Sequence, residues 1–422
     1  MTSVPSVLGL DPTELATCVG CGLCLPHCPT FRITGEEGLS PRGRIDAMRA
    51  VEWRGAPIDA DFVHFIDTCV QCRGCEPACP SGVPYGHLVE QTTARLAERH
   101  AVTPRWQRLA FAGLARHRSL LAGSTLLALA QRAGLVPRRV GLGRLPLRRG
   151  RRPVARPPQP GATPDVWLYT GCVMDAWMRP THRATAMLIE AVGATFALSP
   201  DRAGCCGALH SHAGLNDGAI ALARRTVAAM PGTAPVLVNS AGCGAAMKEY
   251  GHLVGTGEAQ AFAARVLDVH EWLAARVDEL PPAAAGERPR VIVQDPCHLR
   301  HVQRAHEPVR TVLGRYYDLV ELDDDGLCCG AGGAYSAGQP ELAGQIRERK
   351  LAALERARAA SGATVVASAN PGCAMHLARW GDVRHPLDLV AVMAFPGHAE
   401  PAPLRSLPRW RSVARTRGMD PT

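Results

Sequence analysis

Two runs of cysteine carry most of the chemistry open to this 422-residue chain. Cys18-x2-Cys21-x2-Cys24-x3-Cys28-Pro29 recurs as Cys69-x2-Cys72-x2-Cys75-x3-Cys79-Pro80. A CxxCxxC turn aims three thiolates from one stretch of backbone at one small volume, and a fourth arrives from a distance. A cubane iron–sulfur cluster needs that arrangement. Proline after Cys28 and after Cys79 is expected to stop a helix there and turn the chain away. Tetrahedral zinc would accept the CxxC pairs. It gives no reason for a third and fourth cysteine at the same spacing twice.

In two-cluster ferredoxins the fourth cysteine of each run ligates the other cluster. The expected sets are therefore Cys18, Cys21, Cys24 and Cys79 for one [4Fe–4S] cluster, and Cys28, Cys69, Cys72 and Cys75 for a second. Eight further cysteines form another pattern. Cys172, Cys205, Cys206 and Cys243 recur as Cys297, Cys328, Cys329 and Cys373, each next to or near glycine and each expected where a strand gives way to a helix. A helix N-terminus favours thiolate, and glycine beside paired cysteines lets two sulfurs approach one metal. Four sulfurs per copy make these eight candidates for further metal or redox chemistry, the plainer alternative being well-packed core thiols. His210, His212, His298, His301, His306 and His376 gather nearby. Of these, His298 follows Cys297 directly and is the one suited to mixed thiolate–imidazole ligation or a proton relay.

The elements that must hold these residues fall into three regions. Residues 1–100 show helical patterns only: Ser40-Pro41 is a helix start running through Arg49 to Trp53, a second pattern runs from Asp61 to Cys69, and a third follows Pro84. In residues 101–160, Leu109, Leu114, Leu120, Leu121, Leu127 and Leu129 have helical spacing, and the stretch from Pro137 to Pro160 has the composition of a linker. Residues 161–285 and 286–400 are two copies of one α/β unit, leaving 401–422 as a tail. Strands are expected at Val166–Tyr169 and Pro235–Asn239 in the first copy and at Val291–Val293 and Thr364–Ala367 in the second, with a helix from Glu341 to Arg358. The fold class expected is α+β, an all-helical two-cluster domain followed by a tandem pair of α/β repeats.

Several functions are excluded by what is missing. No GxGxxG joins a strand to a helix, and no GxxxxGK[ST], GxSxG or HExxH occurs. The chain thus holds one-electron redox groups without a visible site for hydride chemistry, so it exchanges electrons with a partner that carries a flavin or quinone. No uncharged apolar run reaches 18 residues and the first fifteen lack a signal-peptide pattern, so a cytoplasmic location is expected. Sixteen cysteines in that reducing setting favour metal over disulfides. The net charge of +9 is local: fourteen arginines and no acid lie between Arg99 and Pro164, leaving 33 basic against 38 acidic residues elsewhere. With only Trp106 and Phe111 as clear aromatic companions, that segment is a poor base-stacking surface and suits an anionic lipid surface or an acidic partner instead.

These features resemble the iron–sulfur subunit of glycolate oxidase, from Cys18 to about Leu389. Its marks are Cys205-Cys206-Gly207-Ala208-Leu209-His210, Asp295-Pro296-Cys297-His298-Leu299 and Asn370-Pro371-Gly372-Cys373. The resemblance implies an electron conduit: an FAD-containing partner oxidises glycolate to glyoxylate, and two [4Fe–4S] clusters, with further clusters in the repeats as an extension, relay electrons toward a membrane or quinone-linked acceptor. It also implies peripheral contact with the cytoplasmic face of the inner membrane and its anionic lipid. The iron–sulfur subunits of heterodisulfide reductase and of anaerobic glycerol-3-phosphate dehydrogenase share the CCG repeat and are the alternative resemblances. The fullest CCG pattern ends in Cys-x-x-Cys, whereas Ser240 and Asn370 stand at the first of those positions here.

Overall fold

The computed structural model describes residues 6–99, 102–136, 145–147, 150–155, 163–283, 286–378 and 381–397. The expected tail 401–422, and most of the expected linker (137–144, 148–149 and 156–160), lie outside the described residues.

The first region is helical throughout its described part. Helix α1 (Pro41–Arg54) starts as the sequence predicts, with the Ser40 hydroxyl accepting from the Gly43 N–H and proline at its first position. Helix α2 (Ala60–Asp67) is capped by Asp59, and α3 (Tyr85–Glu98) follows Pro84. Leu8, Leu15, Ile45, Met48, Ile66, Leu88 and Leu96 form their common core, against which Cys18, Cys24, Cys69 and Cys79 pack. One expectation is corrected here. Pro29 does more than turn the chain: it opens a new short helix, Pro29–Thr34, whose missing N–H falls where none is needed.

Helices α4 (Arg105–Leu114) and α5 (His117–Arg132) pack on each other. The described part of the linker is not free. Arg152 donates to both oxygens of the buried Asp175 carboxylate at 2.7 and 2.9 Å, and Arg179 adds another bond at 2.9 Å. Those two guanidiniums hold the Asp175 carboxyl down at about 2 in spite of its burial.

Each repeat is a four-stranded parallel sheet. Strands β1 (Val166–Tyr169), β2 (Phe196–Leu198), β3 (Val236–Val238) and β4 (Val266–Asp268) lie in the order β2-β1-β3-β4. The second copy repeats it: β5 (Arg290–Val293), β6 (Asp318–Val320), β7 (Val365–Ala367) and β8 (Asp382–Arg384) lie as β6-β5-β7-β8. The main crossover helices are α6 (Arg179–Ala191) and α7 (Asn216–Ala229) in the first copy, and α10 (His306–Gly314) and α11 (Pro340–Ser361) in the second. Helices α8 (Ala241–Lys248) and α12 (Pro371–Leu377) follow the third strand of each copy.

The two sheets share one core, in which Leu168, Phe196 and Leu273 join Val291, Leu313 and Val390. The closing helix of each copy is exchanged: α9 (Val269–Ala274) packs on α10 of the second repeat, and α13 (Pro386–Ala394) packs on α6 of the first. No described helix is long and apolar enough to cross a membrane.

Candidate metal centres

The first region folds its cysteine runs around two adjoining cavities. One is lined by Cys18, Cys21, Cys24 and Cys79, with Cys75 and Tyr85 on its inner wall. The other is lined by Cys28, Cys69, Cys72 and Cys75, with Arg44 and Tyr85. Cys75 therefore belongs to the wall between them. Burial and the neighbouring Cys72, Cys69 and Cys28 push the Cys75 thiol well up, and burial likewise raises Cys24 with Cys18 and Cys28 nearby. Thiols crowded this way stay protonated until a cation draws off their protons, which is what bound iron does. Among the described residues no three His, Cys, Asp or Glu side chains converge on one point as a mononuclear ion requires. A cubane asks for something different, giving each of four thiolates an iron of its own. The donor set and its spread around a cavity fit that group.

Arg44 is the residue the sequence did not mark. It is 1% exposed and has four hydrogen-bond partners: the Phe65 carbonyl at 2.6 Å, the Leu39 carbonyl at 2.6 Å, and the hydroxyls of Thr30 and Thr68 at 3.2 and 3.3 Å. Its Nη1 also lies 4.0 Å from Cys28 Sγ. None of these partners is a carboxylate. A buried cation without a counter-ion is costly, and the charges around it are the Tyr85 phenol and the Cys69 and Cys28 thiols, which raise its pKa against the pull of burial.

The repeat cysteines sit at the carboxyl ends of the strands. Cys172 and Cys297 follow β1 and β5, Cys205-Cys206 and Cys328-Cys329 occupy loops after β2 and β6, and Cys243 and Cys373 lie in the first turns of α8 and α12. In a 2-1-3-4 sheet the chain reverses its winding direction between the first and third strands, and the crevice there is the usual ligand position of open α/β folds. In the first repeat Cys172 pairs with Cys205, and Cys206 with Cys243. In the second, Cys328 contacts Cys297 and Cys329, while Cys329 and Cys373 bring their sulfurs to 3.2 Å. Thiol contacts of this kind split the pair: Cys243 is lowered and its partner Cys206 raised, as Cys329 is lowered and Cys373 raised.

Ser240 and Asn370 both bond to cysteines of the repeats. Each hydrogen-bonds the sulfur three residues on: Ser240 to Cys243, and the Asn370 amide to Cys373 at 3.5 Å. The Asn370 carbonyl oxygen also accepts from the Gly242 N–H, so this position joins the two repeats.

The histidines divide into two groups. His298 Nδ1 lies 3.9 Å from Cys297 Sγ, and the His298 ring stacks on His212 from the other repeat, with centroids 5.3 Å apart. Burial holds both neutral, at about 3 and about 4 respectively. His301 lies over Gly74, beside the Cys72–Cys75 turn. His210 packs on Phe111, His306 is half-buried beside Glu307, and His376 lies near Cys329. Cys72 of the first region meets Cys328 of the second repeat, and that hydrogen bond lowers the Cys72 thiol. Bonds from Gln71 to the His212 carbonyl, from Arg73 to Glu249 and from Tyr335 to the Thr68 carbonyl fix the helical region on both repeats.

Comparison with known proteins agrees with this layout. A 4Fe-4S dicluster domain model matches residues 14–83, and a cysteine-rich domain model matches residues 166–248 and 291–378. The chain is 33% identical to the probable glycolate oxidase iron-sulfur subunit of Bacillus subtilis (strain 168), over 87% of this chain and 89% of that one. It is 31% identical to the glycolate oxidase iron-sulfur subunit of Escherichia coli (strain K12), over 89% and 93%. A more distant relative, from the fumarate reductase (CoM/CoB) of Methanothermobacter marburgensis, is 26% identical over 87% of this chain and 68% of that protein. The chain belongs to the family of glycolate oxidase iron–sulfur subunits.

Proposed function

We propose that this chain relays electrons within a glycolate-oxidising complex, from an FAD-containing partner to an acceptor at the membrane. As a member of its family it is an iron–sulfur electron-transfer subunit of an oxidoreductase, with the substrate chemistry on a partner chain. The observation that carries the relay is the pair of adjoining cavities, one lined by Cys18, Cys21, Cys24 and Cys79 and the other by Cys28, Cys69, Cys72 and Cys75, with Cys75 and Tyr85 lining both. Cys18, Cys21, Cys24 and Cys79 would hold one [4Fe–4S] cluster, and Cys28, Cys69, Cys72 and Cys75 the other. Each cluster, when bound, takes up and gives out one electron at a time. The contact between Cys72 and Cys328 makes the second repeat the one suited to exchange electrons with them.

Membrane contact is supported by helices α4 and α5. Trp106 and Leu109 on α4 and Leu126 and Leu129 on α5 are 50–75% exposed, and Arg105, Arg116, Arg118 and Arg132 at the ends of these helices are exposed as well. Exposed apolar side chains accompanied by arginines are the makeup of a helix lying in an anionic lipid interface.

Anaerobic purification with iron and flavin analysis tests the whole reading. About eight irons per chain are expected from two four-iron clusters, together with a flavoprotein that bleaches them when glycolate is added. A chain without iron, or clusters that stay oxidised beside the reduced flavoprotein, would overturn it.

A further inference from the structure

A cavity of about 440 Å³ lies beside the cysteine-lined pair. It opens where the three parts of the molecule meet: α2 and the Cys69–Gln71 turn, the start of α4, and the segments 209–213 and 332–339 of the two repeats. Three aromatic side chains wall it, Trp106 and Phe111 from α4 and Tyr335 from the second repeat. Cys69, from the set assigned to the second cluster, forms part of the same wall. Volume and lining are those of a site for a flat organic molecule with a few polar anchors.

One polar group of the wall is left without a partner. Gln71 is 9% exposed, its amide N–H₂ donates to the His212 carbonyl at 2.8 Å, and its Oε1 has no partner. A buried acceptor left unpaired costs free energy that a ligand hydroxyl would recover. Gln71 and Thr103, both on the cavity wall, also hold positive φ of 55° and 60°, which side chains other than glycine rarely adopt. Strain of that sort persists where surrounding structure insists on one side-chain position. Asp67, Gln107 and Gln339 also line the cavity, Trp106 on its wall is 59% exposed, and Leu109, one turn along α4 and outside the lining, is 75% exposed.

We propose that this cavity binds the ring of a lipophilic quinone and is where electrons leave the chain, an inference that rests on the relay reading above. The aromatic walls match the ring, Gln71 Oε1 matches a hydroxyl of the quinol, and the apolar face of α4 offers a path for the tail. The cluster that Cys69 would help to hold would supply two electrons one at a time, refilled each time from the flavoprotein, and two protons would come from solvent. Both ring carbonyls become hydroxyls, so one quinone yields one quinol. A flavin reaching in from the partner is the competing occupant.

The test uses the full chain, purified anaerobically with its clusters, and a short-tailed ubiquinone analogue titrated while tryptophan fluorescence is followed. Saturable quenching is expected in the wild type. Ala334→Phe, which puts a large ring into the cavity from the second repeat, and Gln71→Leu are expected to weaken binding at least tenfold. The visible absorption of the clusters and their reduction by the flavoprotein should be unchanged in Ala334→Phe. Absence of saturable quenching, equal affinity in Ala334→Phe, or displacement of the analogue by free FMN would each overturn the quinone site and leave the relay reading standing. Clusters that the flavoprotein fails to reduce would overturn the relay instead, and binding to the oxidised chain would still report on the cavity.

Discussion

Replacing Arg44 should lower the reduction potential of one cluster and spare the other. The guanidinium is buried, has no carboxylate partner, and comes within 4.0 Å of Cys28 Sγ in the cavity lined by Cys28, Cys69, Cys72 and Cys75. Reduction adds one negative charge to that site, and the fixed cation stabilises it. With roughly 6 Å between the charges and an effective dielectric constant of about 20, the attraction is about 3 kcal/mol. On a one-electron couple that is about 120 mV. Arg44→Gln removes the charge while keeping an amide that can reach some of the carbonyls and hydroxyls the guanidinium serves. Arg44→Lys keeps the charge and should move the potential by less than half as much. The assay is a redox titration followed by electron paramagnetic resonance, which resolves the two clusters in one sample. The expected record is a fall of about 120 mV for the Cys69-run cluster in Arg44→Gln, with the Cys18-run cluster shifted far less. Equal shifts in both clusters, or none in a variant that still carries eight irons, would refute the electrostatic assignment.

Cys79→Ser should disturb the cluster built on Cys18, Cys21 and Cys24, and Cys28→Ser the one built on Cys69, Cys72 and Cys75. Spectra in which each variant loses the cluster of its own run would reverse the assignment. Asp388 is buried, accepts from the Thr181 hydroxyl at 2.9 Å through one oxygen, and leaves the other unpaired, so burial raises its carboxyl to about 7. Between its ordinary value near 3.8 and 7 the unfolded chain has lost a proton that the folded chain keeps. Stability therefore falls as pH rises through that window, by about 1.4 kcal/mol per unit. From pH 5 to pH 8 the wild type should lose about 3 kcal/mol relative to Asp388→Asn in paired denaturation curves; parallel profiles would contradict this. Leu126→Glu with Leu129→Glu removes two side chains each worth about 1.5–3 kcal/mol when fully buried in lipid. Sedimentation with anionic liposomes should drop at least tenfold, and binding that survives both the variant and added salt would exclude this face.

The sequence exposed the parts whose chemistry depends on spacing. Ser40-Pro41 announced α1 because a cap and a first-turn proline are local signals. The inner strands β1, β3, β5 and β7 were visible as apolar runs, since both their faces are covered. Their neighbours β2, β4, β6 and β8 were missed. Each is three residues long, and edge strands such as Asp318–Val320 and Asp382–Arg384 carry charge in place of a hydrophobic pattern. Arg44 looked like any other arginine in a chain rich in them, and only its burial against the cysteines gives it a role. His212 and His298 lie 86 positions apart, so their stacking belongs to the tertiary fold alone. The arginine-rich segment was legible as a block of charge, but not that Arg152 would be committed to Asp175.

The exchange of α9 and α13 between the repeats locks two similar units face to face, yet the helical region meets them unequally. Cys328 touches Cys72, whereas its counterpart Cys205 is packed among Leu120, Ala176 and Leu222. A duplicated circuit has been soldered at one terminal and insulated at the other. Matched substitutions at Cys205 and Cys328 should therefore differ in outcome, and the symmetry of the pair is a poor guide to the division of labour within it.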